Sequence, residues 1–190
     1  MEHNFYADIN FEKENFNEKI FEKGIYEECS FVDCNFSESD LSEVMFTECK
    51  FIRCNLSMVK IIKTGFNQVS FTECKMLGLH FDDCNILNLS FEFNNCNLNH
   101  SSFYGLKLKN TNFKNCSLQE TDFVESDISG AVIENCDLLH ALFENTVAVK
   151  TDFSTAFNYS INPENNKITN ARFSLSGLAG LLQQYNIDIV

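Results

Sequence analysis

Residues 26–56 read YEECSFVDCNFSESDLSEVMFTECKFIRCNL, with an aromatic or aliphatic residue at every fifth position. The period runs from Phe11 through Ile86 to Phe91, and after an offset of two residues it resumes from Phe93 to Phe153. On a strand, residues five apart point to opposite sides, and on a helix they drift around the cylinder. The chain must therefore turn a corner in every repeat, and the sequence predicts a solenoid.

A second inward position lies two residues before each central residue, where the sequence has small or apolar residues such as Cys29, Cys34 and Val44. Residues two apart in an extended segment share a face, so both positions point inward and the other residues form the outer wall and the corner. Residues 20 apart resemble one another, which predicts four repeats per coil and a square cross-section. About 30 repeats then give about 7.5 coils, or a rod of about 36 Å.

Pieces such as CNFSE (34–38), SDLSE (39–43), TNFKN (111–115) and CDLLH (136–140) match the consensus A-[DN]-[LF]-x-x. The chain thereby resembles the pentapeptide repeat family over about residues 10–173. The resemblance implies an all-β fold, a right-handed quadrilateral β-helix. We expect residues 1–173 to form this β-helix and residues 174–190 a separate C-terminal module, with the offset before Phe93 a local bulge.

The nine cysteines all occupy the inward position that precedes the central residue by two. This placement predicts buried, reduced core thiols rather than metal ligands or disulfides. His80, His100 and His140 fall on outward positions with no Cys or acidic partner at a recognisable ligand spacing, and we expect them to be solvated surface residues. No catalytic fingerprint is present. We therefore expect no enzyme activity, no metal and no cofactor.

The formal net charge of −13 disfavours direct binding to nucleic acid and favours a basic partner. No apolar run approaches the roughly 18 residues of a membrane span, so we expect a cytoplasmic protein with no membrane contact. Residues 119–164 hold nine acids against one base. Two interpretations stay open for this block, a solvated wall or an acidic partner-binding surface. Its candidate binding residues are Glu120, Asp122, Glu125, Asp127, Glu134, Asp137, Glu144 and Asp152.

The repeats falter near Asn158, and the tail from about Ser176 to Tyr185 has apolar residues at helical spacing. Ser174 or Ser176 could cap such a helix, and residues 187–189 alternate like a short strand. A helix that only closes the coil end and a helix that also joins two copies are both consistent with this pattern. The candidate dimerisation residues are Leu178, Leu181, Leu182, Tyr185, Ile187 and Ile189.

The tail, with SINPENNKI (160–168) before GLAGLL (177–182), is similar to that of the Qnr and McbG group of pentapeptide repeat proteins. The resemblance implies a homodimer that mimics duplex DNA and binds DNA gyrase or topoisomerase IV, giving protection from quinolones or a gyrase toxin. The alternative is a scaffold or regulatory module that binds an unrelated protein. Such a module would use the less acidic middle of the chain, where Ile62, Leu77 and Leu87 point outward.

Overall fold

The computed structural model describes residues 4–188 and shows a parallel β-solenoid of about eight turns. Strands from successive coils pair in parallel, with Phe31 beside Phe51 and Phe51 beside Phe71, one coil of 20 residues apart. The predicted fold class is confirmed. The strands are β1 Asn4–Ala7, β2 Asn10–Glu12, β3 Gly24–Glu27, β4 Ser30–Val32, β5 Met45–Thr47, β6 Lys50–Ile52, β7 Gly65–Asn67, β8 Val69–Thr72, β9 Phe91–Asn94, β10 Asn112–Lys114, β11 Val132–Glu134, β12 Asp152–Phe153 and β13 Arg172–Phe173.

Each coil has four walls, which we number in chain order starting from the wall that contains β2. Wall 1 is a nine-stranded parallel sheet in the order β13-β12-β11-β10-β9-β8-β6-β4-β2, and wall 4 begins as a four-stranded sheet, β1-β3-β5-β7. Walls 2 and 3 are joined mainly by isolated parallel bridges. The central inward residues are Phe16, Phe36, Leu56, Met76, Leu98, Leu118 and Leu138 on wall 2, and Phe21, Leu41, Ile61, Phe81, Phe103, Phe123 and Phe143 on wall 3.

The interior is filled by columns of stacked side chains. On wall 1 the rings of Phe31 and Phe51 stack with centroids 4.7 Å apart, and on wall 3 the rings of Phe81 and Phe103 do the same at 4.7 Å. Such offset aromatic pairs add about 0.5–1.5 kcal/mol beyond the apolar area they bury. The core is therefore one continuous column along the rod.

The corner of almost every repeat is a residue with positive φ, two positions after the central residue. Glu48 (φ 53°) and Arg53 (φ 52°) are typical, and glycine occurs at only a few corners, such as Gly105. A non-glycine residue in this conformation costs about 1–2 kcal/mol. The cost is offset because the corner N–H donates to the next coil, as from Glu48 to the Asn67 carbonyl oxygen at 2.8 Å.

The two-residue offset produces one coil of 22 residues, in which Phe71 pairs with Phe93 and Val69 with Phe91. The prediction that Ile86 points inward is wrong, because its side chain is 73% exposed. Phe91 occupies the inward position before Phe93, and its ring fills the core there, 5.3 Å from the ring of Phe81 and 5.0 Å from that of Phe93. The extra residues therefore bulge outward between Asn85 and Ser90.

All nine cysteines are buried, as predicted, and their thiols are free. Six of them, Cys34, Cys54, Cys74, Cys96, Cys116 and Cys136, occupy the same position in six successive coils. The Cys54 thiol donates to the Phe31 carbonyl oxygen at 3.2 Å, as Thr151 on a neighbouring wall donates to that of Ile128 at 2.7 Å. Burial raises the pKa of the Cys49 thiol to about 12. These thiols therefore serve as small core residues that satisfy backbone carbonyls.

The C-terminal tail forms two 3₁₀ segments, Leu175–Leu181 and Gln183–Tyr185, in place of the single helix expected over 176–185. Ser174 is the N-cap, since its Oγ accepts from the Gly177 N–H at 3.1 Å. Residues 186–188 do not form the predicted strand. Within residues 4–188 the structure has no helix with the length and apolar character to cross a bilayer.

Candidate partner-binding surfaces

The eight acids predicted as a binding surface lie on all four walls. They are close together in sequence, but the four-sided coil places them on different sides of the rod. Wall 1 has Glu134 and Asp152, wall 2 has Glu120 and Asp137, wall 3 has Asp122, Glu125 and Glu144, and wall 4 has Asp127.

The acids of walls 1 and 4 are largely neutralised by cations of a neighbouring coil. Asp152 lies 2.8 Å from the Arg172 guanidinium and Asp127 lies 3.1 Å from Lys109 Nζ. Glu134 lies 3.4 Å from Lys114 Nζ. Wall 4 also carries Lys107, Lys150 and Lys167. These two walls therefore present little net negative charge in the C-terminal half.

Wall 2 engages its acids in local hydrogen bonds. Asp137 accepts from the side-chain amides of Gln119 and Asn158 at 2.7 and 2.8 Å. Glu120 lies 3.3 Å from His100 Nδ1.

Wall 3 is different, because none of the ion pairs in residues 4–188 involves Asp122, Glu125 or Glu144. Over the whole wall, nine carboxylates oppose four lysines, and all four lysines precede residue 64. The part of wall 3 after residue 80 therefore has carboxylates but no lysine or arginine, and we name it the acidic face, although its coil at residues 101–105 contributes no carboxylate. Its carboxylates are Asp82, Asp83, Asp122, Glu125, Glu144 and Glu164.

Two tyrosines border the acidic face. The Tyr185 hydroxyl donates to Glu164 Oε1 at 2.8 Å and so ties the C-terminal tail to this wall. The Glu125 carboxylate beside Tyr104 raises the pKa of that hydroxyl. Asp82, Asp83 and Glu164 were not among the predicted binding residues, although the outward positions of one wall, followed coil by coil, would include them.

The aspartates that precede a central residue also have a structural role. Asp122 and Asp152 accept from backbone N–H groups two residues later, at 2.8 Å from Val124 and 2.9 Å from Ser154. The Ser154 bonds hold the pKa of Asp152 below its usual range. Asp127 and Asp137 close their turns in the same way. Glu125 and Glu144 make no such turn bond in the described chain, so they are better sites for testing charge alone.

The C-terminal end of the rod is closed by the first 3₁₀ segment, which lies over Tyr159. Gly177 and Gly180 pack directly against Tyr159, leaving no room for a Cβ at either position. The Ile161 N–H donates to the Gly180 carbonyl oxygen at 2.9 Å. The glycines of this segment therefore allow it to seal the last coil.

The predicted dimerisation residues fall into two groups. Leu181 packs against the core and Leu182 is half-buried, whereas Leu178, Tyr185 and Ile187 are exposed. Ile189 lies outside the described residues. Leu175, which was not among the predicted dimerisation residues, is 88% exposed at the same end. The tail thus combines a closing side with an apolar outer side.

Two of the histidines have an acidic neighbour in space, although the sequence shows no recognisable ligand spacing around them. His100 Nδ1 lies 3.3 Å from Glu120 Oε2, and His80 Nδ1 lies 3.6 Å from Asp82 Oδ1. The first pair is 20 residues apart in sequence, so it is visible only once the coil length is applied.

Two family models, described as pentapeptide repeats (8 copies) and as a pentapeptide repeat region, match residues 27–57 and 44–123. A trypsin-treated variant of QnrB1, a plasmid-mediated fluoroquinolone resistance protein, is 17% identical with a TM-score of 0.50, covering 98% of this chain and 100% of its own. HetL from the cyanobacterium Nostoc sp. strain PCC 7120, involved in heterocyst differentiation regulation, is 12% identical with a TM-score of 0.57, covering 90% and 86%. At identities of 17% and 12%, the two structures support the fold alone.

No curated protein matches. The repeat register, the four-walled solenoid and the family models together place the chain in the pentapeptide repeat family.

Proposed function

We propose that this protein is a non-enzymatic binding protein whose acidic face mimics duplex DNA and binds a type II topoisomerase, DNA gyrase or topoisomerase IV. Binding would protect the enzyme from quinolones or a gyrase toxin. The observation that carries the proposal is the alignment of six carboxylates along one wall with no lysine or arginine among them.

The spacing of the acidic face supports this proposal. From Asp82 to Glu164 the wall spans four coil steps, about 19 Å at about 4.8 Å per step. Six carboxylates over this length give about one charge per 3.2 Å. A DNA strand carries one phosphate per about 3.4 Å, so the face approximates the charge density of one strand.

The exposed tail extends the proposal to a homodimer. If the outer side of the tail, with Leu175 and Leu178, packs against a second copy, two rods join end to end. The acidic faces, each ending at Glu164 near the tail, would then flank the centre of a longer negative surface. The proposed assembly thus needs both the wall and the tail.

A supercoiling assay tests the proposal. Wild-type protein should restore gyrase activity in the presence of a quinolone, or inhibit supercoiling in excess, and the variant Glu125→Lys/Glu144→Lys should lose this effect in a salt-dependent manner. The control Glu27→Lys/Glu28→Lys changes the same charge at the equivalent repeat positions on wall 4. No effect of micromolar wild-type protein, or equal effects of the two variants, would refute the proposal.

A regulatory module for an unrelated partner is the second candidate. It is favoured by the exposed apolar residues Ile86 and Leu87 on the bulge and by Ile62 on wall 3, while Leu77 is half-buried. HetL has the same fold and a regulatory role, which shows that the fold is compatible with such a function. A pull-down that recovers another protein and no topoisomerase, and that fails with Ile86→Ser/Leu87→Ser, would support this candidate.

A further inference from the structure

Three potential metal ligands stand in one column at the corner between walls 2 and 3. His100, Glu120 and His140 occupy the same repeat position in three successive coils, each two residues after a central leucine. The coils are in register, since the His100 N–H donates to the Gln119 carbonyl oxygen and the Glu120 N–H to that of Leu139, both at 2.9 Å. All three have the same left-handed backbone, with φ of 60°, 54° and 59°. Their side chains therefore leave the corner in the same direction.

The first two side chains already have the spacing of ligands around one ion. His100 Nδ1 and Glu120 Oε2 are 3.3 Å apart, and both side chains are more than half exposed. In a tetrahedral zinc site with bonds of about 2.0–2.1 Å, two ligand atoms are about 3.3–3.4 Å apart. The observed separation thus equals one edge of that tetrahedron.

His140 is the third member, one coil step of about 4.8 Å beyond Glu120. As the side chains stand, no three potential ligands in the described chain converge on one point. His140 is exposed, and no hydrogen bond of its ring is found within residues 4–188. A rotation about its side-chain bonds, with no backbone change, can bring a ring nitrogen towards the Glu120 carboxylate.

We propose that His100, Glu120 and His140 form a surface site for a divalent transition-metal ion such as Zn²⁺. Two imidazoles and one carboxylate are a known three-ligand set for zinc, with water in the fourth position, and they are poor ligands for Mg²⁺, which prefers oxygen. The nine thiols, which would bind zinc more strongly, are buried and do not compete in the folded protein. The neighbouring acidic face raises the local concentration of cations.

A bound ion would clamp three coils at the corner beside the acidic face. It would place two positive charges next to Asp122, on the wall that the proposed function uses. The site depends only on the column of three residues, so its test does not depend on topoisomerase binding.

Isothermal titration with Zn²⁺ of the full chain, without a histidine tag, tests the site. We expect one ion per chain, no binding of Mg²⁺, and a thermal unfolding temperature that rises with the Zn²⁺ concentration. Because loss of an outer-shell partner already costs about 10–100-fold in metal affinity, loss of the ligand in His140→Gln should weaken binding at least about tenfold. His80→Gln, which changes a histidine outside the column, should bind as wild type does.

Cobalt replaces zinc in a second measurement that reports ligand type. The Co²⁺ complex should lack thiolate charge-transfer absorption, and circular dichroism should show an unchanged fold. The proposal is overturned if His140→Gln and Glu120→Gln bind Zn²⁺ as tightly as wild type, if His80→Gln loses as much as His140→Gln, or if the absorption shows thiolate ligands.

Discussion

The two ends of the rod are closed in opposite ways. At the N-terminal end, Glu14 and Lys19 occupy inward positions, form an ion pair, and place Lys19 Nζ 5.0 Å from the centre of the Phe16 ring. At the C-terminal end, the glycine-containing 3₁₀ segment covers Tyr159 with no charged group and leaves Leu175 exposed. A charged closure is compatible with water, whereas an apolar outer side is compatible with a second copy. Exposed apolar side chains are present at both ends, since Ile20 is 94% and Phe5 60% exposed at the N-terminal end, so the proposed association through the C-terminal end has to be tested against the other end.

The largest expected difference between the ends comes from their tyrosines. Tyr159 is buried under the tail, whereas Tyr6 is only half-buried, with its ring stacked 4.5 Å from that of Tyr26. Tyr159→Ala should lower the free energy of unfolding by about 3–5 kcal/mol, because it leaves a cavity below the 3₁₀ segment. Tyr6→Ala should cost about 1 kcal/mol, the contribution of an aromatic pair. Urea denaturation measures both, and equal losses would contradict the proposed asymmetry.

The oligomeric state gives the next largest effect. Leu178→Glu places a charge on the outer side of the tail and should weaken the proposed dimer by at least about 2 kcal/mol, or about 30-fold in Kd. Sedimentation equilibrium should then show a smaller mass for the variant at micromolar concentration. Phe5→Glu, a matched change of an exposed apolar residue at the other end, should leave the mass unchanged. A monomeric wild-type protein, or dissociation by Phe5→Glu alone, would reverse the assignment of the two ends.

The ion pair at the N-terminal end should contribute little to stability. Lys19 and Glu14 are about half exposed, so Lys19→Met should cost only about 0.5–1 kcal/mol. Lys23→Met, which removes a more exposed pair with Glu43 at 3.3 Å, should cost about half as much or less. Thermal unfolding can rank the two variants. A larger loss from Lys23→Met would show that the Lys19 pair does not close this end.

The fold could be predicted from the sequence, because every fifth side chain has to lie inside the solenoid. The conformation of the residues around the bulge could not be predicted in this way. Ile86 continues the apolar register and still points outward, whereas Leu89 and the Phe91 ring pack against the core in that coil. The positive φ at corners such as Glu48 and Arg53 was also not predictable, because neither residue favours that conformation. There the hydrogen bond to the next coil outweighs the local preference.

The proposed binding surface was predictable only in part. Asp122, Glu125 and Glu144 were predicted together with five other acids, because all eight lie in one acidic stretch of the sequence. Asp82 lies on the same wall about 40 residues earlier and belongs with them in space. Assigning acids to walls requires both the coil length of 20 residues and the place where it becomes 22.

Lowering the pH should reduce the free energy of unfolding through carboxyls in both halves of the rod to a similar extent. This is the smallest of the expected differences between the two ends. Near one end the Arg53 guanidinium, bonded at 2.7 and 3.0 Å, lowers the pKa of Asp33. Near the other, hydrogen bonds from Ser154, aided by Arg172, lower the pKa of Asp152. A carboxyl with a lowered folded-state pKa stabilises the protein above its unfolded pKa of about 3.9, and this contribution is lost as pH falls through the folded value.

Unfolding free energies measured between pH 7 and pH 2 should therefore fall below about pH 4. Asp33→Asn and Asp152→Asn should each remove a similar part of that decrease, because each deletes one carboxyl that binds a proton more weakly in the folded state. The variants should differ from wild type at pH 7 and converge with it at pH 2. A variant at one end that removes most of the pH dependence, while the other removes none, would mean that the two ends differ in electrostatics as well as in closure.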